Sequence, residues 1–246
     1  MTLPAHAWRG VLIDLDGTLM DTAPDLADAV NRMRADLGLP ALPLERVAAY
    51  VGKGADVLVH RALTDDLAGR AGEEDFARGR ALFFSNYHAV NGDRSIVFNG
   101  VPAALRRLRD AGLRLACVTN KPREFTVPLL DKVDLAQFFD ATVAGDDVPQ
   151  KKPHPALLLE ACRRLHLAAV DCLMIGDSIN DALAAHAAGC PVVLVETGYN
   201  EGASVHHLSA QLPDEHAEAR ADAIVTSLSE AAALILAAPH GATKLR

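Results

Sequence analysis

Val11-Leu12-Ile13-Asp14-Leu15-Asp16-Gly17-Thr18 is an apolar run that breaks abruptly into acid, acid and glycine. A short run without polar alternation suits a strand covered on both faces, the condition of a parallel sheet. Asp14 and Asp16 are two apart, so on extended chain they project the same way. Gly17 permits a sharp turn with exposed backbone where an anion can approach. Paired carboxylates repel unless a cation neutralises them or one keeps a proton. The competing reading makes one of them a turn cap and leaves the other in solvent.

The same layout recurs outward from this stretch. LRLACVTN (113–120), ATVAG (141–145), CLMIGD (172–177), PVVLVE (191–196) and a weaker AIVT (223–226) are apolar runs that end in polar or glycine turns. Helical patterns fill the intervals, among them VPAALRRLRDAG, closed by Gly112, and HPALLLEACRRL, opened near Pro153 and Pro155. This alternation predicts an α/β fold with a doubly wound, Rossmann-like parallel sheet. One interval departs from it. Between Thr22 and Arg94 only helical periodicity is found, with Leu26, Val30, Met33 and Leu37 in one stripe and Phe83, Phe84 and Tyr87 in another. So long and apolar an interval predicts a helical cap domain over 20–94, inserted into a catalytic core made of 1–19 and 95–246.

Composition narrows the function classes. Half of the 246 residues are hydrophobic, enough for a substantial core, and the formal charge is −8. That balance argues against nucleic acid or a membrane surface as partner, because binding their phosphates needs clustered Lys and Arg. No run of about 18 apolar residues crosses a membrane, and the N-terminus with Pro4, His6, Trp8 and Arg9 lacks a signal-peptide layout. Cys117, Cys162, Cys172 and Cys190 are widely spaced, which reads as buried reduced thiols and a cytoplasmic protein. The pattern assigns no oligomeric state.

In a doubly wound sheet, ligands bind beyond the carboxyl ends of the strands, and polar clusters stand at those ends. Thr119-Asn120-Lys121 offers a hydroxyl and backbone amides for phosphate oxygens, or simply a helix cap. Lys152, in Gln150-Lys151-Lys152-Pro153, is kept out of any helix interior by proline. It reads as an ammonium for carboxylate and phosphate oxygens, or as a solvated loop lysine. Asp177 and Asp181 share one face of a helix start, where hard carboxylate oxygens suit Mg²⁺ and where acids also favour the helix dipole.

DLDGTL, the Thr119 turn, Lys152-Pro153 and GDSIND resemble the four motifs of the haloacid dehalogenase superfamily, and the helical insertion resembles that superfamily's cap. Within it, GADVLVHRALT, AGDDVPQKKPHP and GDSINDALAAHAAGC are similar to bacterial phosphoglycolate phosphatases. The resemblance implies Mg²⁺-dependent hydrolysis of a small phosphorylated metabolite, 2-phosphoglycolate, through an aspartyl-phosphate. Asp14 would be the nucleophile and Asp16 the acid and base. Thr119, the Asn120 amide and Lys152 would stabilise the transferring group. The metal would be held by Asp14, the Asp16 carbonyl and Asp177, with Asp181 in support. Lys53, at the tip of the Gly52-Lys53-Gly54 turn, is the expected cap contact to a substrate carboxylate, with Arg61 or Arg123 as substitutes.

Neighbouring chemistries remain. Dehalogenases and phosphonate-cleaving relatives do without an acid at the Asp16 position. A sugar-phosphate phosphatase acting, for example, on N-acetylmuramic acid 6-phosphate, or a phosphosugar mutase, shares all the core motifs. A phosphate-ester sensor on a retained fold is expected to have lost Asp14, Asp16, Lys152 or Asp177, and all four are present.

Overall fold

The computed structural model describes residues 8–207 and 220–237. The expectations made on 1–7 and on the last residues of the core segment lie outside them. Six parallel strands form the main sheet in the order β5-β4-β1-β6-β7-β8. They are β1 (Gly10–Ile13), β4 (Arg114–Val118), β5 (Ala141–Val143), β6 (Cys172–Gly176), β7 (Val192–Val195) and β8 (Ala223–Val225). All six anticipated runs are present, the weak one included. Their unbroken apolar character has a simple cause. Val11 and Ile13 pack into one buried layer and Leu12 into the opposite one, so every residue of β1 faces a core. Helices α5 (Val101–Asp110), α6 (Arg123–Lys132), α7 (Ala156–Leu165), α8 (Ile179–Ala188) and α9 (Leu228–Ala237) cover the two faces.

The chain runs from β1 outward to β4 and β5, then returns to the far side of β1 for β6. This reversal makes the carboxyl ends of β4, β1 and β6 a topological switch point. Register places Ile13 level with both Cys117 and Ile175. The chain therefore leaves three adjacent strands at one height, with Asp14, Thr119 and Asp177 beside one another.

Residues 23–90 supply four further helices: α1 (Ala23–Asp36), α2 (Leu44–Tyr50), α3 (Ala55–Thr64) and α4 (Glu73–Val90). Leu26, Val30 and Met33 are buried as one stripe, together with Phe83 and Tyr87 of α4. The one core helix residue in this cluster is Phe125 of α6, whose ring lies 4.7 Å from Tyr87 and 5.1 Å from Phe84. The sequence reading finds no strand between Thr22 and Arg94, and it names none at either edge of that interval. The structure has two short ones, β2 (Met20–Asp21) and β3 (Ile96–Val97), paired antiparallel. Two residues are too few for any period to register. They set the entry to the helices beside the exit. The buried Asp25 carboxylate ties the crossing further by accepting from the amides of Gly92 (2.9 Å), Arg94 (2.7 Å) and Ser95 (3.0 Å). The four cysteines are free and buried. Among the described residues, no helix is long and apolar enough to cross a membrane.

Candidate active site

Asp14 follows β1 directly, and its amide donates to the Ile175 carbonyl at 2.9 Å. Its carboxylate is 2.8 Å from the Lys152 ammonium. Burial pushes its pKa from the ordinary 3.8 up to about 7, against the pull of Lys152. Lys152 itself is buried rather than solvated. Its three N–H groups meet three acceptors: Val118 O at 2.9 Å, Asp181 Oδ1 at 2.6 Å and Asp14 Oδ1 at 2.8 Å. Burial alone would lower the Lys152 pKa, but Asp14 and Asp181 outweigh it and raise it.

Asp177 leaves β6 just before α8. Its Oδ2 accepts from the Tyr199 amide at 2.9 Å, and burial, then Asp181 and Asp14, raise its pKa well above the carboxylate range. Two glycines let the chain approach it this closely. A Cβ on Gly17 would stand 2.7 Å from Asp177 Oδ2, at a left-handed φ of +85°, and one on Gly198 would overlap the same carboxylate. Asp181 closes a capping box with Ser178 at the start of α8. Its Oδ2 accepts from Ser178 Oγ at 2.7 Å and from the Ser178 amide at 3.2 Å, while its Oδ1 takes Lys152.

Asp14, Asp177 and Asp181 each offer an oxygen within 4.8 Å of the others. Three buried carboxylates against one ammonium leave two negative charges, which a hard divalent cation neutralises. Asp181 carries the most protein donors, Lys152 on Oδ1 and the Ser178 hydroxyl and amide on Oδ2. Asp177 meets only the Tyr199 amide and, at 3.4 Å, the Thr18 hydroxyl, so Asp14 and Asp177 are the freer carboxylates for an ion. The donor set fits Mg²⁺ with Asp181 in support.

Asp16 stands beside this cluster as a separate, balanced pair. Its Oδ1 accepts from Thr22 Oγ1 at 2.6 Å and from Lys121 Nζ at 3.0 Å. Thr119 is not a helix cap, since α6 begins only after Pro122. It lines the same pocket as Asp14, Asp16, Asn120, Lys121, Lys152 and Asp181. The Asn120 side chain reaches across to the inserted helices, donating to Gly52 O at 2.8 Å, and also accepts from the Lys152 amide at 2.8 Å.

Lys53 is the residue that the structure places elsewhere. Its neighbours Gly52 and Gly54 line the pocket and it does not. Its ammonium, on a side chain 37% exposed, pairs with Glu201 at 2.8 Å. Arg61 takes the same carboxylate, and Arg123 pairs with Asp147. Sequence reasoning quoted Lys121 without giving it a role, and it gave none to Tyr87 in the site or to Tyr199 and Glu201. The amide neighbours of Thr119 point to Lys121. Nothing local marks the others.

The haloacid dehalogenase-like hydrolase profile matches residues 8–189, and a HAD-hydrolase-like profile matches 150–231. The chain is 47% identical to a phosphoglycolate phosphatase of Nitrosospira multiformis, over 92% of this chain and 95% of that one. It is 46% identical to a plasmid-encoded phosphoglycolate phosphatase of Cupriavidus necator, over 96% and 95%. The crystal structure of a predicted phosphoglycolate phosphatase from Haemophilus somnus superposes with a TM-score of 0.81 at 31% identity, covering 92% of this chain and 96% of that one. With the buried aspartates at the switch point and a matching profile over most of its length, this chain belongs to the haloacid dehalogenase-like hydrolases.

Proposed function

We propose that the protein is a cytoplasmic Mg²⁺-dependent phosphatase that hydrolyses 2-phosphoglycolate to glycolate and phosphate. The observation that carries this reading is Asp14, buried 2.8 Å from Lys152, with Asp16 on the wall of the same pocket. On this reading the three are a nucleophile, a phosphate counter-charge and an acid around one small space. The Asp14 carboxylate attacks phosphorus as the ester P–O bond breaks, and Asp16 gives its proton to the departing alkoxide. Asp16 then takes a proton from water, whose oxygen attacks the aspartyl-phosphate. The P–O bond to Asp14 breaks and phosphate leaves. Lys152, Thr119 and the Asn120 amide face the charge on the transferring oxygens. Asp14, the Asp16 carbonyl and Asp177 would hold Mg²⁺, which screens the anionic substrate from the anionic nucleophile when bound.

Pocket size and kinship support the substrate. The cavity between the core and the inserted helices is small, about 40 Å³. A two-carbon ester suits that space better than a hexose. The relatives named phosphoglycolate phosphatase cover nearly the whole chain at 42–47% identity. We treat α1–α4 as a cap that closes over the core and excludes water during the covalent step. The test is phosphate release over a panel of small esters with Mg²⁺, in wild type and Asp14→Asn. Phosphoglycolate should give the highest kcat/KM, and Asp14→Asn should lose roughly a thousandfold or more. A faster N-acetylmuramic acid 6-phosphate, or turnover that requires a bisphosphate activator, would replace this assignment with the sugar-phosphate or mutase reading.

A further inference from the structure

We propose that Lys121 of the core and Tyr87 of α4 together form a second anion subsite, which takes the carboxylate of the substrate and exists only while the cap helices lie over the core. The inference rests on the phosphatase reading and names the residues that make it selective.

Among the described residues, the cations lining the pocket are Lys121 and Lys152. Lys152 is committed to the phosphoryl end of the pocket, its ammonium held beside Asp14 by Val118 O and Asp181. Lys121 is differently placed. Its side chain is 4% exposed, one donor meets Asp16 at 3.0 Å, and the ammonium lies 4.8 Å from the centroid of the Tyr87 ring. An ammonium with one carboxylate and one aromatic face retains a donor.

Tyr87 supplies the second, independent observation. It is 1% exposed and lines the pocket, and its buried hydroxyl meets no hydrogen-bond acceptor, the Lys121 ammonium being its one polar neighbour. Buried polar groups are seldom left unmatched, and a donor aimed into a pocket is explained by an acceptor that binds there. Burial pushes the phenol up to about 12, with Lys121 pulling the other way, so the group is a proton donor at neutral pH. An ammonium and a phenol side by side are two donors wanting one anion. Around them Leu26, Leu58, Phe83 and Phe125 keep the pocket apolar, which strengthens any charge-assisted hydrogen bond formed there.

Position fits the chemistry. Asp16 protonates the leaving oxygen, and Lys121 touches Asp16. Whatever is attached to the leaving oxygen therefore projects toward Lys121. In phosphoglycolate that group is a carboxylate, one methylene away. Lys53, the cation expected for this role from sequence, is turned to Glu201 instead.

The experiment compares kcat/KM for phosphoglycolate with that for ethyl phosphate, which keeps the two-carbon frame and lacks the carboxylate, all with Mg²⁺. Wild type, Lys121→Met, Lys121→Arg, Tyr87→Phe and Lys53→Met are measured. The wild type should prefer phosphoglycolate. Lys121→Met should cut that preference on the order of ten- to a hundredfold, and Tyr87→Phe about tenfold. Lys121→Arg should retain most of it, and Lys53→Met should keep the wild-type ratio. Unchanged preference in both Lys121→Met and Tyr87→Phe would overturn the subsite. If Lys121→Met is inactive on both esters, Tyr87→Phe and Lys121→Arg decide by the same ratio. A wild type indifferent to the carboxylate would instead remove the substrate reading on which the subsite rests.

Discussion

Asp14 is held where its own charge is costly, and that cost makes it responsive to a cation. Buried beside Asp177 and Asp181 with only Lys152 to offset them, it keeps its proton to about pH 7, against 3.8 for an ordinary carboxyl. In the metal-free protein the folded state therefore binds more protons than the unfolded chain between about pH 4 and about pH 7. Stability should fall as pH rises through that window, and the upward shift of Asp177 adds in the same direction. Mg²⁺ should reverse the trend, by about 2.7 kcal/mol at a hundredfold excess over Kd. Urea midpoints measured with EDTA and with Mg²⁺ across this range check the prediction. Midpoints that rise with pH in EDTA, or that ignore Mg²⁺, would contradict it. At this scale the gathering of Asp14, Thr119 and Asp177 is legible in sequence, because each stands at the end of an apolar run and the sheet brings those ends together. Lys121 and Lys53 mark the limit. Where a long side chain points depends on partners far along the chain, Asp16 and Tyr87 for one and Glu201 for the other.

Among the elements, the loop after β7 links parts that the sequence reading treats separately. The Tyr199 amide donates to Asp177, and its hydroxyl, 2.6 Å from Asp21, also accepts from the amides of Thr22 and Ala23. Two residues on, Glu201 adopts a left-handed φ of 54° and presents its carboxylate to Lys53 and Arg61. The loop thus touches the Asp177 carboxylate, the crossing into α1 and the α2–α3 turn. Arg61 is buried and otherwise bonds only backbone, the carbonyls of Tyr50 and Leu67. Glu201→Gln should leave that guanidinium short of a counter-charge. A broken buried pair costs about 3–5 kcal/mol. The Glu201 side chain is partly exposed, so the closed form should lose about 1–2 kcal/mol, or roughly five- to thirtyfold in closure. We expect KM to rise by that order and amide exchange at Val51–Gly54 to quicken, read by hydrogen exchange and steady-state kinetics. Unchanged exchange and KM would mean that the clasp does not hold the cap. The strands and helices were readable from their periods, whereas this loop was not. It has no period, and its function lies in hydrogen bonds across more than a hundred residues of sequence.

Across the whole molecule, one sheet reversal creates the site and one insertion covers it. The switch point brings Asp14 beside Thr119 and Asp177, each one residue further along its strand, and the segments of the insertion bring Gly52, Gly54 and Tyr87 to the same pocket. The strands were legible because both faces of the sheet are buried, and the helices of residues 23–90 because they carry apolar stripes. The order of the strands in the sheet was not, and neither were the contacts between these helices and the core, which depend on Phe125 entering their cluster and on Asn120 reaching Gly52 O. An aspartyl-phosphate must be formed out of water and then hydrolysed by one positioned water, which calls for such closure. In the proposed reaction the phosphoryl group passes through Asp14. The most direct test is to acid-quench the enzyme during turnover of phosphoglycolate with Mg²⁺, reduce acyl phosphates with borohydride and map the peptides. The expected result is homoserine in place of aspartate at position 14, with phosphate released, absent in Asp14→Asn and absent without Mg²⁺. Turnover at the normal rate with no homoserine at position 14, or with the reduction product at another residue, would contradict it.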